Sequence, residues 1–205
     1  MKVKNYSLKV GNKVLLDQTD ISFDSGCFNH LLGKNGVGKS QFAKDFIINK
    51  GKYFSKDIPD RTLIISSYSN VPDELTLNDY LSIFPITYKS EIKNMLNLDN
   101  IDPNIKIKKL SDGQKQKVKL FILLSFDKDI IILDEITNAL DKKTSIEIYQ
   151  FFKEYCKKYK KKTIINISHN VADMKNMPGI YYVLENQKIN RMKDIQEAIN
   201  WYMEA

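Results

Sequence analysis

The chain has 205 residues, 42% hydrophobic and 28% charged, with a formal net charge of +7 and two cysteines. That length holds one sizeable core with room for a small insertion. With no run of eighteen apolar residues, and an N-terminus, MKVKNYSLKV, without the long apolar core of a secretory signal, a membrane-spanning or secreted chain is excluded and a cytosolic one expected.

Residues 2–28 alternate short apolar and polar pieces, with Gly11-Asn12 and Ser25-Gly26 as turns, which predicts a small antiparallel sheet. CFNHLL, 27–32, then reads as a short buried strand carrying Cys27, and His30 within it as a packed or surface residue. GKNGVGKS, 33–40, follows, and the helix after it places Phe42, Phe46 and Ile47 at helical spacing. RTLIISS, 61–67, predicts a second buried strand, and 72–112 is helical or irregular. DIIILDE, 129–135, is a continuous apolar run expected at the centre of a parallel sheet. A helix over 145–159 carries Cys156, a buried strand TIINISH spans 163–169, a hairpin 179–189, and an amphipathic closing helix 194–205. Both cysteines stand outside any motif and are expected as reduced, packed thiols. The lysine runs KIKK and KKYKKK have no interleaved aromatics in a recognition pattern, and the second ends a helix with positive charge near its negative pole. No direct contact with nucleic acid is expected.

Two stretches carry chemistry. Gly33 to Ser40 reads G-x-x-x-x-G-K-S between a strand and a helix, the Walker A pattern of a phosphate-binding loop. Residues without a Cβ let the backbone bend round an anion, at the positive end of the helix. Lys39 would reach the β- and γ-phosphates of ATP, and the Ser40 hydroxyl would ligate Mg²⁺. The 129–135 strand ends in Asp134 and Glu135, a Walker B arrangement at the carboxyl end of a parallel strand. Asp134 would hold Mg²⁺ through its hydration shell, and Glu135 would accept a hydrogen bond from the attacking water. Such a base contributes about 10²- to 10⁴-fold.

LSDGQ, 110–114, lies between these stretches and resembles the signature sequence of ATP-binding cassette (ABC) ATPases. NALD, 138–141, is similar to that family's D-loop and SH, 168–169, to its switch histidine, so the resemblance covers nearly the whole chain. It implies an α/β fold: a P-loop NTPase (RecA-like) core with a mainly parallel sheet, an N-terminal antiparallel β-subdomain and a short inserted α-helical subdomain. The division expected is about 1–28 for the β-subdomain, 29–71 and 113–205 for the core, and 72–112 for the helical part. The resemblance further implies nucleotide contacts from Gly33, Asn35, Gly36, Val37, Gly38, Lys39, Ser40 and Gln41 of one chain. Ser111, Gly113, Gln114 and Asp141 would contribute from a partner cassette, with His169 sensing the γ-phosphate.

Three departures from the family pattern stand out. The glutamine expected after the strand ending near residue 67 is absent, leaving Ser67, Ser69 or Asn70. An adenine-stacking aromatic is missing near Val10, so adenine is held loosely or by Tyr6. Asp112 replaces the first signature glycine, and Ile136 the proline after the catalytic glutamate. The function implied is that of an ATPase subunit of an ABC transporter, export favoured, working with separate transmembrane permease subunits at the inner face of the cell membrane and with a second cassette, identical or paralogous. The alternative is a soluble cassette ATPase acting on ribosomes, nucleic acid or Fe-S assembly. A P-loop kinase or GTPase would leave LSDGQ, NALD and SH unexplained.

Overall fold

Alternating polar and apolar side chains pair β1 (Lys2–Val10) with β2 (Lys13–Ser22) into a two-stranded antiparallel sheet. The computed structural model describes residues 1–66, 69–83, 86–138 and 140–204, with the backbone alone at 86–89. Ser67, and Ala139 of the NALD segment, lie outside the described residues. Near-continuous apolar runs form the parallel strands β3 (Phe28–Leu32), β4 (Thr62–Ser66), β5 (Ile130–Asp134), β6 (Thr163–Ile167) and β7 (Gly179–Glu185). Adding β8 (Lys188–Arg191), antiparallel to β7, the described residues form a sheet of order β4-β5-β6-β3-β7-β8.

The helices are α1 (Lys39–Ile48), the short α2 (Ile58–Arg61), α3 (Leu77–Ile83), α4 (Ile86–Met95), α5 (Asp112–Leu124), α6 (Lys142–Lys158), α7 (Val171–Asn176) and α8 (Ile195–Glu204). Both faces of the parallel sheet are covered. Ile131, Leu133 and Ile164 pack with Val118, Phe121, Phe152 and Tyr155 of α5 and α6 and with residues of α3 and α4. On the other face Ile130, Ile132, Ile165 and Ile167 pack with Phe42 and Phe46 of α1, with Tyr6 and Leu16 from the two-stranded sheet, and with Phe23 just after it. Alternate residues of one strand thus enter different cores, which is why β5 reads as an unbroken apolar run.

Two local expectations are corrected. Residues 24–27 form a turn rather than another antiparallel strand, and Cys27 lies in that turn, half-buried, where the chain enters the parallel sheet. Ile47 is exposed, because Phe42 and Phe46 already fill the buried stripe of α1. Cys156 is buried in α6, and the lysine runs are partly taken up by ion pairs: Lys106 and Lys108 with Glu74, Lys158 with Glu91, Lys162 with Asp127. No helix of the described residues is long and apolar enough to cross a membrane.

Candidate functional site

Strand order positions the site. β5, β6 and β3 lie side by side, so their carboxyl ends deliver the acid pair, His169 and the glycine loop to one edge of the sheet. Gly36 and Gly38 have φ of +74° and +116°, backbone that side chains with a Cβ rarely adopt. A Cβ at Gly38 would also come within 2.9 Å of the Leu15 side chain. Behind the loop, Lys39 Nζ donates to the carbonyls of Gly33 (2.7 Å) and Lys34 (3.1 Å). Burial lowers its pKa to about 8, against the pull of Glu135 and Asp134 in the opposite direction.

Ser40, second residue of α1, sets its hydroxyl beside Asp134, whose carboxyl is pushed above its ordinary range first by burial, against the pull of that hydroxyl, and then by the neighbouring Glu135 charge. Glu135 accepts through Oε1 from His169 Nε2 (3.1 Å) and through Oε2 from Asn138 Nδ2 (3.0 Å). His169 is held below the usual imidazole value by burial and by the Lys39 charge, so this contact is a neutral ring N–H on a carboxylate. Asn35, Gly36, Gly38, Lys39, Ser40, Gln41, Glu135 and His169 line one cleft of about 410 Å³, closed on the far side by Val10, Lys13 and Leu15. Val37 instead packs into the core behind the loop.

Glycine backbone, a lysine and a hydroxyl at a helix N-terminus suit a polyphosphate. Ser40 and Asp134 offer hard oxygen donors. Among the described residues no group of three or more His, Cys, Asp or Glu side chains is gathered for a metal.

The signature residues lie elsewhere. Ser111 caps α5, its Oγ accepting from Gln114 N–H while Gln114 Oε1 accepts from Ser111 N–H. Asp112 starts that helix with its side chain 94% exposed. Asp141 caps α6, accepting from Thr144 N–H and from the Thr144 hydroxyl. A Cβ at Gly113 would meet Thr144 Oγ1 at 2.5 Å, so glycine is what lets the two helix starts approach. Ser111, Gly113, Gln114, Asp141 and Thr144 line a separate cleft of about 280 Å³ that shares no residue with the first.

Tyr6 is excluded as an adenine platform. It is fully buried, its hydroxyl donates to Asp45 (2.8 Å), and it packs against Phe42 and Phe54. Of the residues expected in place of the missing glutamine, Ser69 turns its hydroxyl back to Ser66 N–H and the Ile64 carbonyl, and Asn70 is exposed. His30 is packed in the core: Nε2–H donates to Met177 O (2.6 Å), Nδ1 accepts from Asn166, and the ring stacks on Tyr181.

Several residues escaped sequence reasoning. Lys13 and Leu15 reach the cleft from the two-stranded sheet. Trp201 and Tyr202 of α8 share a second cavity with Gly33, Lys34, Asn35 and His169. Asp173, fully buried, accepts from Thr137 and Tyr149 and so joins the segment after β5 to α6 and α7. The one available signal was Asp173 itself, an acid in an otherwise apolar helix turn.

A family model described as ABC transporter matches residues 16–138. The chain is 47% identical over 207 residues to the Probable peptide export ATP-binding protein YydI of Bacillus subtilis (strain 168), covering 99% of each. It is 25% identical over 225 residues to the Petrobactin import ATP-binding protein YclP of the same organism, covering 97% of this chain and 88% of that one. Its fold matches a nucleotide-free ATP-binding cassette from an ABC transporter with a TM-score of 0.77 at 18% identity, covering 100% of this chain and 94% of that one. It also matches a bacterial Atm1-family ABC exporter with ATP bound, with a TM-score of 0.78 at 15% identity, covering 99% of this chain and 40% of that one.

Proposed function

The chain belongs to the ABC transporter family as an ATP-binding, ATP-hydrolysing subunit, and from that premise we propose that it powers export of a peptide through membrane permease subunits. Direction and cargo rest on the 47% identity, over 99% of both chains, to a protein named for peptide export. The proposed place of work is the inner face of the membrane, with the helical segment of about 72–112 meeting the permease.

The observation that carries the chemical reading is the convergence of Lys39, Ser40, Glu135 and His169 on one cleft, with Asp134 beside Ser40. In this reading Gly33, Asn35, Gly36, Val37, Gly38 and Gln41 supply the backbone and flanks of the phosphate cradle, and the Lys39 ammonium exchanges its loop carbonyls for phosphate oxygens. Ser40 and Asp134 would hold Mg²⁺, which neutralises phosphate charge when bound. Glu135 accepts a proton from the attacking water, and the neutral His169 donates its N–H towards the γ-phosphate side. Ser111 and Gly113, at the start of α5, together with Gln114 and Asp141, act on the nucleotide of a second cassette. That the two clefts of one chain share no residue supports this: neither cleft holds all the parts.

The test is the light-scattering mass of wild type and Glu135→Gln, each with and without Mg-ATP, beside wild-type turnover. A substituted chain that dimerises only with ATP, and a wild type that hydrolyses it, support two shared sites in a homodimer. If neither dimerises nor turns over ATP, the homodimer is abandoned in favour of a paralogous partner cassette.

A further inference from the structure

The turn after β5 carries a side chain to which none of the roles above is assigned. Glu135 has φ +56°, a left-handed backbone that non-glycine residues keep only when their surroundings hold it. Three anchors hold it here. Glu135 N–H donates to Ile167 O at the end of β6 (2.9 Å). The buried Ile136 accepts through its carbonyl from Gln116 of α5 (3.2 Å), and the buried Thr137 donates to Asp173 of α7 (2.9 Å). The turn then closes with Asn138 N–H on Glu135 O (3.3 Å). This leaves the Asn138 side chain, exposed at its outer edge, with its amide on Glu135 Oε2 at 3.0 Å and no other side-chain hydrogen bond among the described residues.

Both carboxylate oxygens are therefore gripped from different segments, Oε2 by Asn138 and Oε1 by His169. A carboxylate offers about four lone-pair positions, so two gripped positions fix its rotamer and leave the others open to a water. Asn138 itself does not line the nucleotide cleft. We propose that Asn138 is a positioning residue for ATP hydrolysis: its amide, opposite the His169 imidazole, holds the Glu135 carboxylate in one orientation, so that turnover depends on Asn138 and ATP binding does not. The inference rests on Glu135 as the base. Orienting that group before the reaction spares the transition state the cost of freezing a flexible side chain.

The test compares Asn138→Ala, Asn138→Asp, Asn138→Gln and Glu135→Gln in ATP turnover and in ATP affinity. Loss of one hydrogen bond to a charged group corresponds to about a tenfold fall in kcat for Asn138→Ala, with KM and the ATP Kd unchanged. Asn138→Asp, which sets a second carboxylate against the first, falls further, and Asn138→Gln recovers part of the loss by restoring a donor. Independently of turnover, the Asn138 side-chain amide resonance of the ¹⁵N-labelled full chain should move on Glu135→Ala. The proposal is overturned if Glu135→Gln is inactive while the Asn138 variants turn over like wild type, if kcat and ATP affinity fall together, or if the amide ignores Glu135→Ala. Turnover retained by Glu135→Gln removes the base itself, and the inference with it.

Discussion

A methyl group added at Gly113 lands 2.5 Å from Thr144 Oγ1 and 3.1 Å from Thr144 Cγ2. Thr144 is buried, and its hydroxyl and N–H both donate to the Asp141 carboxylate, at 2.6 and 3.0 Å. Alanine favours the first turn of α5 by up to about 1 kcal/mol over glycine. Against that, forcing the methyl into contact costs about 1–3 kcal/mol, or rotating Thr144 away from Asp141 costs about 1.5–3 kcal/mol. The chain relaxes by the cheaper route, so Gly113→Ala should lower the unfolding free energy by about 1–2 kcal/mol in urea titrations. In a Thr144→Ala background the two nearest atoms are gone and the next, Thr144 Cβ, lies at 3.4 Å, an ordinary contact. The same substitution there should be neutral or stabilise by up to about 1 kcal/mol. The effect therefore changes sign between backgrounds. Equal destabilisation in both, or none in wild type, would refute the close approach of α5 and α6 as the reason for glycine.

Asp173→Ala removes the acceptor of two buried hydroxyls, Thr137 and Tyr149, and should cost about 2–4 kcal/mol in the same urea assay; a loss well under about 1 kcal/mol would rule out that network as a tie between segments. Burial depresses the pKa of His30 despite the opposing pull of the Met177 carbonyl and Asp173. The unfolded chain then takes up that proton first, so the His30 contribution to stability is complete above about pH 6.5 and is lost as pH falls through the folded value. Wild type should lose stability more steeply than His30→Gln on acidification from about pH 7 to 5, His169 being common to both; parallel urea midpoints would count against it. Trp201 is the chain's single tryptophan and lines a cavity with Gly33, Lys34, Asn35 and His169. Its emission should change saturably with Mg-ATP in wild type and not in Lys39→Ala, whereas constant emission at saturating ATP would dissociate α8 from the phosphate loop.

What the sequence determined by itself was local. The glycine spacing of 33–40, the apolar run ending in Asp134 and Glu135, and Ser111 three residues before Gln114 each express a backbone or capping requirement met within a few residues. The α/β class was what the resemblance carried by these motifs implied. Distant contacts were not legible. Nothing in the period of β3, β5 or β6 says that they lie side by side, yet that order brings the loop, the acid pair and His169 to one edge. Tyr6 looked available as an aromatic until packing set its hydroxyl on Asp45, 39 positions away. Asn138 looked like one letter of NALD until the left-handed turn at Glu135 aimed its amide at a carboxylate. Hydrophobic periodicity specifies which face of an element is buried, but not against which neighbour. Those neighbours, and with them the separation of the Ser111 cleft from the Lys39 cleft, were decided only when the sheet and its helices closed on a shared core.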